Sequence, residues 1–263
     1  MVANVNIHHS AIIEDGAEIG EGTSVGPFCF VGSKVRLGQN VELKSHVVIK
    51  GDTFLGDENT VFPFAVLGEI PQDKKFNGES TSLKIGNRNQ IREHVTINVG
   101  TKGGGGITKV GNDGLFMAGC HIAHDAQVGD NVILVNNASL AGHCIIEDNV
   151  IVGGLSGVHQ FVRIGEGAII GAVTMVTNDV IPYGLVQAPR GELDGLNLVG
   201  LKRKGVPRAD IMALRAAFQT LSQGDGTFQD RAQKLTDDSD SEYVEKIVSF
   251  VLGHSDRSFL TPR

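Results

Sequence analysis

The sequence predicts a mainly β protein, a parallel β-helix of hexapeptide repeats followed by a C-terminal α-helical domain. Aliphatic residues recur at every sixth position through most of the first 176 residues. A second slot, four residues after each aliphatic one, is small or β-branched almost throughout. Beyond Val176 the six-residue period gives way to two stretches with helical spacing.

The first run of hexads begins at Ile7 and passes through Ile13, Ile19, Val25, Val31, Leu37, Leu43, Ile49, Leu55 and Val61 to Leu67. It returns at Ile85, Ile91 and Ile97. After a one-residue slip it runs from Val110 through Phe116, Ile122, Val128, Leu134, Leu140, Ile146, Val152, Val158, Ile164 and Ile170 to Val176. Each hexad reads as a short strand and a turn, and three of them make one triangular coil of about 18 residues. The second slot holds Thr23, Cys29, Val35, Val41, Val47, Ala65, Cys120, Ala126, Val132, Ala138, Cys144, Val150 and Ser156. A large residue fills the narrow prism and a small one fits its corner, so all three cysteines are expected to be core filler. Residues 69–84 and 98–108 leave the pattern and read as loops projecting from the prism, where binding residues commonly sit. The four glycines Gly103–Gly106 lack the lysine-serine or lysine-threonine pair of a P-loop, so they read as a flexible excursion. Further on, Pro207 opens a helix with an apolar stripe of Ile211, Leu214, Phe218 and Leu221. Ser239 and Glu242 form a capping box before the stripe Tyr243, Ile247, Phe250 and Val251. The expected division is a prism over 1–190 and a helical domain over 191–263, which packs on an open end or a side of the prism.

Composition narrows the function. The 35 glycines, with no tryptophan and two tyrosines, suit a repeat with many tight turns. A net charge of −7 argues against a nucleic-acid partner. No segment has the length and apolarity of a membrane span, and no basic-then-apolar leader opens the chain. Three cysteines without disulfide or paired-ligand spacing suit a reducing compartment, so the expected location is cytoplasmic.

The stretch HIAHDAQVGDNVIL places His121 and His124 outside both inward slots, as are His143 and His159, so these histidines are expected to face outward. Residues one coil apart stack at about 4.8 Å, which puts His124, Gly142 and Gln160 in one column flanked by His143 and His159. Such a column suits a solvated wall, a metal site, or half of a cleft completed by another copy. Asp125 adjoins His124, but neighbours on a regular strand point to opposite faces. A bond between them requires turn geometry.

The segments SHVVIKG, GEIPQDKKF, IGNRNQIREHVTI, GGGGITKVG, HIAHDAQVG, NNASLAGH, GGLSGVHQF and GLKRKG, in this order, resemble the UDP-N-acetylglucosamine acyltransferases that begin lipid A biosynthesis. The resemblance implies a left-handed β-helix and a homotrimer with active sites between subunits. It also implies transfer of a 3-hydroxyacyl chain from acyl carrier protein to the 3-position of the glucosamine of UDP-N-acetylglucosamine. No cofactor is implied beyond the 4′-phosphopantetheine that carries the donor. Carried over, His124 is the general base, Asp125 its neighbour in the catalytic set, and the Gly142 N–H the oxyanion donor. Asp73, Lys75, His121 and His143 hold the glucosamine and phosphate groups, and His159 and Gln160 the nucleotide. Asn197, Arg203 and Lys204 reach the diphosphate or pantetheine from the helical domain, and the run Lys202 to Lys204 suits an acidic carrier protein. Ala172, with Ile169, is implied as the acyl-length ruler, and alanine there implies a chain somewhat shorter than glycine would admit.

Three departures bear on the acceptor. TINVGT stands where TIHRGT is the family pattern, Val199 replaces an acidic residue, and Lys204 replaces an arginine with its bidentate fork. A 3-amino sugar nucleotide is therefore the alternative acceptor. Rivals are an N-acyltransferase or acetyltransferase of the same repeat class, and a trimeric γ-type carbonic anhydrase binding zinc between subunits through His121, His124 and His143. A purely structural β-helix has no need of the histidine column.

Overall fold

The computed structural model describes residues 5–187, 192–223, 225–236 and 240–262. Mostly two-residue strands wind into a three-sided prism, each strand pairing in parallel with the third one along. Asn6 therefore lies beside Ser24, and His121 beside Ser139. Three sheets result, and we number the faces first, second and third after the strands Asn6–Ile7, Ile12–Ile13 and Glu18–Ile19. Parallel pairing without helices works here because every turn of the chain is itself the crossover.

Both inward slots behave as their chemistry requires. Ile49, Leu67, Ile122, Leu134 and Leu140 are fully buried, as are Cys120, Cys144, Ala126 and Val132. Burial of each large side chain contributes roughly 1.5–3 kcal/mol, and a change such as Leu140→Ala costs about 2–5 kcal/mol through the cavity it leaves. The first coil is less covered, with Ile7 44 % exposed, because no further coil lies below it among the described residues. Polar residues in the small slot bond to turn carbonyls: Thr23 Oγ1 donates to Gly38 O at 2.8 Å and Ser156 Oγ to Gly171 O at 2.9 Å. Asn59 and Asn89 use the same slot, buried with their amides spent on the carbonyls of the next coil.

The prism continues past Val176. Val180 bridges to Ile164, and the strand Gly184–Gln187 joins the first sheet beside Ile169 and Ile170. An antiparallel strand, Glu192–Leu196, then pairs with it, so sheet hydrogen bonding reaches Leu196. Four helices follow among the described residues, α1 (Leu198–Arg203), α2 (Arg208–Ser222), α3 (Phe228–Lys234) and α4 (Glu242–Leu252). Pro207 is the N-cap of α2, one position before the expected one. The stripe Ile211, Leu214 and Leu221 is buried. Ser241, not Ser239, precedes α4; Ser239 lies outside the described residues. The Ser241 side chain bonds to Asp210 on α2 instead of capping its own helix. The helices cover the C-terminal end of the prism, where Lys246 on α4 pairs with Glu166 at 2.7 Å and Arg163 lies over the Phe250 ring.

Candidate active site

His124 and Asp125 sit at the corner between the second and third faces. His124 points away from the core, as its phase requires, yet it is only 7 % exposed. The outward histidine is buried because the 99–106 loop folds back over the corner. Within that loop Lys102–Gly104 forms a short 3-10 turn. Thr101 is its anchor: its N–H donates to Asp125 Oδ1 at 2.8 Å and its hydroxyl to Asp125 Oδ2 at 2.6 Å. The glycine run is thus tied to the corner at Thr101 and Gly104. A Cβ on Gly104 would overlap the Asp125 carboxyl group, and Gly105 and Gly106 have φ of 94° and 80°.

Asp125 itself adopts φ 60°, the left-handed turn geometry that the adjacent pair needs, and its Oδ2 lies 2.8 Å from His124 Nδ1. Its main-chain N–H donates to the buried Thr108 hydroxyl at 2.8 Å. A carboxylate accepting from Nδ1–H leaves the other ring nitrogen, Nε2, with a free lone pair, which is the state a base requires. One coil along, Gly142 approaches the imidazole so closely that a Cβ would lie 2.5 Å from His124 Cε1. The Gly142 N–H has no hydrogen-bond partner among the described residues. His143 donates its main-chain N–H to His124 O at 3.0 Å, its ring meets that of His124 edge to face at 5.0 Å, and it stacks on Phe161 at 4.4 Å.

Two cavities meet at this corner. A groove of about 420 Å³ along the second face is lined by Gln72, Asn98, His121, His124, Gly142, His159, Gln160 and Met175 among others. A larger cavity of about 930 Å³ lies under the 70–81 loop, bounded by Asp73, Lys75, Phe76, Glu79, Thr101, Lys102, His143 and Phe161. His121 Nδ1 is 2.7 Å from Thr96 Oγ1. Burial lowers the pKa of His121, and the nearby His124 adds to the effect. Burial likewise lowers that of His143, opposed by Asp125 and Asp73 and reinforced by His124. Both rings are neutral donor–acceptors at neutral pH.

Other expected residues fall elsewhere. Asn197 caps α1, accepting from Gly200 N–H and donating to Gly167 O, both at 2.9 Å, while Arg203 and Lys204 are exposed at the end of the same helix. None of the three lines either cavity of this chain. Ala172 is exposed at the opposite edge of the second face, where it meets the first. Ile169 is round that corner in the first sheet and does not line the groove. Asn98 and Thr101 escaped sequence reasoning. Asn98, part of the TINVGT departure, donates Nδ2 to Ile70 O at 3.0 Å and so ties the two loops together, with its buried Oδ1 unpartnered among the described residues. Val99 of the same departure is buried core. Among the described residues of this one chain, the converging ligand atoms belong to His124, Asp125 and His143, within 4.8 Å of one another, and His121 is not part of that group. Asp125 already accepts three hydrogen bonds from Thr101 and His124, so its carboxylate is satisfied by the protein itself.

The chain is similar to known proteins over its whole length. Residues 179–260 match the family model described as UDP N-acetylglucosamine O-acyltransferase, domain 2, and residues 16–51 match that of the bacterial transferase hexapeptide (six repeats). An acyl-[acyl-carrier-protein]–UDP-N-acetylglucosamine O-acyltransferase of Paracoccus denitrificans is 66 % identical over 77 % of each chain. The protein of the same name from Agrobacterium fabrum is 43 % identical over 100 % of this chain and 97 % of its own. The solved UDP-N-acetylglucosamine acyltransferase of Campylobacter jejuni superposes with a TM-score of 0.92 at 39 % identity, over 98 % of this chain and 100 % of that one.

Proposed function

This chain belongs to the acyl-[acyl-carrier-protein]–UDP-N-acetylglucosamine O-acyltransferase family, and we propose from that premise how its corner site performs the first acyl transfer of lipid A biosynthesis. The enzyme is an acyltransferase. His124 Nε2 takes the proton of the sugar 3-hydroxyl as that oxygen attacks the thioester carbonyl of a 3-hydroxyacyl chain on acyl carrier protein. The Gly142 N–H receives the charge developing on the carbonyl oxygen, and collapse of the tetrahedral centre expels the pantetheine thiolate, which takes up the proton. The observation that carries this reading is the 2.8 Å contact from Asp125 to His124 Nδ1, with the unpartnered Gly142 N–H one coil away.

Asp73, Lys75, His121 and His143 then hold the glucosamine and phosphates, and His159 and Gln160 the nucleotide, supported by their shared lining of the two cavities. The donor needs no cofactor other than its own 4′-phosphopantetheine. The reading includes a homotrimer. Asn197, Arg203 and Lys204 line neither cavity of their own chain, so they serve the site of a neighbour. The exposed Phe28 and Phe64, stacked on either side of His46, and Leu155 and Val173 further along the same corner of the prism are apolar patches suited to assembly. Lys202 and Arg203 offer charge to an acidic carrier protein. Cytoplasmic residence is supported by three free buried thiols. The test is incubation of the purified protein with 3-hydroxyacyl carrier proteins of several lengths and UDP-N-acetylglucosamine or its 3-amino analogue, read by mass spectrometry. Addition of one hydroxyacyl group, abolished by His124→Ala, is the expected result. Acylation undiminished in that variant would remove His124 as base.

A further inference from the structure

The C-terminal tail, beyond α4, reaches back to the groove. Asp179 is fully buried, donating its N–H to Ser258 O at 2.9 Å and accepting from Leu260 N–H at 2.7 Å, so the tail lies along the last coil like an added strand. The Asp179 carboxylate accepts from Arg163 Nε at 2.7 Å and from the Ser255 hydroxyl at 2.5 Å. Ser255 Oγ in turn accepts from the Arg257 main-chain N–H at 3.1 Å. This chain of contacts fixes Arg257, whose Nη2 stands 3.0 Å from Nδ1 of His159, a residue of the groove beside His124.

A guanidinium only donates, so the His159 nitrogen facing it must carry a lone pair and the proton must be on Nε2. A competing arrangement exists in the same residue pair. The carbonyl of Gln160 is 3.3 Å from the same Nδ1, and it can only accept, so it would require Nδ1–H and leave Nε2 bare. The two bonds exclude each other. The guanidinium contact is both shorter and charge-assisted, and therefore wins.

We infer that Arg257 is a positioning residue that selects the Nε2–H tautomer of His159, turning that ring into a hydrogen-bond donor for an oxygen of the bound sugar nucleotide. The ligand role of His159 rests on the proposed function; the tautomer does not. Uncharged His159 in wild type should show a protonated Nε2 and a bare Nδ1 in nitrogen-15 spectra of histidine-labelled full-length protein, with its signals assigned by their loss in His159→Gln. In Arg257→Ala the proton should move to Nδ1, facing Gln160 O, in a large fraction of molecules, whereas Arg257→Lys keeps a donor and should largely keep the wild-type pattern. For the enzyme, losing one donor to the bound substrate should raise KM for the sugar nucleotide about three- to tenfold in Arg257→Ala, with kcat little changed. Nδ1–H in wild type, or a tautomer unmoved in Arg257→Ala that melts like wild type, would overturn the inference. If no sugar nucleotide is acylated at all, the proposed function fails while the spectra still decide the tautomer. If Arg257→Ala loses its melting transition, the Arg257→Lys and wild-type spectra decide it alone.

Discussion

Replacing Asp125 by asparagine is the sharpest perturbation of the proposed base, His124. The carboxylate accepts three donors: the Thr101 N–H on Oδ1, and the Thr101 hydroxyl and His124 Nδ1–H on Oδ2. A main-chain N–H cannot accept, so the amide oxygen of asparagine must take the Oδ1 place and its NH2 the Oδ2 place. The Thr101 hydroxyl can rotate to accept, but His124 Nδ1 can then accept only by giving up its proton, which moves to Nε2 and occupies the lone pair that catalysis uses. The side chain keeps its shape while the base is protonated in the wrong place. The loss expected in kcat is about 10²–10⁴-fold, the range associated with general-base function and with a mis-set tautomer. Exchanging charged for neutral hydrogen bonds at a buried site costs about 1–3 kcal/mol of stability. The fold therefore survives. The assay is kcat with saturating donor and acceptor, beside His124→Gln and Thr101→Val. Thr101→Val removes a hydroxyl but leaves the tautomer, so it should cost no more than about tenfold. Asp125→Asn activity within about threefold of wild type would refute the reasoning, since so small a change matches one neutral hydrogen bond and no lost base. Equal losses in Asp125→Asn and Thr101→Val would assign the effect to loop placement.

Other outcomes follow from the same structure. Gly104→Ala drives a methyl group into the Asp125 carboxyl, so kcat should fall steeply while the melting temperature changes by only a few degrees, measured side by side. Burial pushes the Cys120 thiol up to about 11 and the Cys144 thiol up to about 12, and it raises that of Cys29. Native protein should therefore resist a thiol reagent at pH 8 and react fully only when unfolded; prompt labelling would contradict core placement. His121 and His143 both have depressed pKa values, so the unfolded chain binds more protons than the native one as pH falls below about 6.5. Stability should thus be full above that pH and decline as pH falls from there towards the lowered native values, and melting curves of His121→Asn and His143→Asn should show a weaker decline. Ala172→Gly should shift preference towards longer acyl donors in a competition assay, and an unchanged product distribution would remove Ala172 from the role.

The prism was legible because its core has a one-dimensional rule: a large residue every sixth position and a small one four later. The helical stripes on α2 and α4 were legible for the same reason. What escaped was whatever closes from a distance. No local pattern shows that the 99–106 loop buries His124, because that contact pairs Thr101 with a residue on another coil. Arg257 and His159 meet through a tail that follows the last helix. The Asp125 contact is different, since its signal was present in the sequence. Three places after most aliphatic slots φ is positive, and about half of these places hold aspartate, asparagine or glycine, as at Asn40, Asp113, Asp125, Asn131, Asn137, Asn149, Gly16, Gly22, Gly119 and Gly167, while others hold residues such as His46, Glu58, His143 and Phe161. Aspartate, asparagine and glycine tolerate the left-handed region best. Strand alternation does not extend across a corner where the chain turns.

That corner position explains why the chemistry gathers where it does. His124, Gly142 and Gln160 occupy the place just before the left-handed residue on successive coils, and Asp125, His143 and Phe161 occupy the left-handed place itself. A left-handed residue swings its side chain back beside its predecessor, so each rung offers two neighbouring side chains pointing outward, and rungs repeat at about 4.8 Å. One rung can hold a base together with the group that orients it. The next, lacking a side chain at Gly142, can present main-chain N–H to the same reacting centre. Any other residue there would collide with the imidazole, its Cβ 2.5 Å from Cε1. The glycine is thus required twice, by the ring it must accommodate and by the oxygen it is proposed to bind, and this double demand ties the repeat geometry to the reaction.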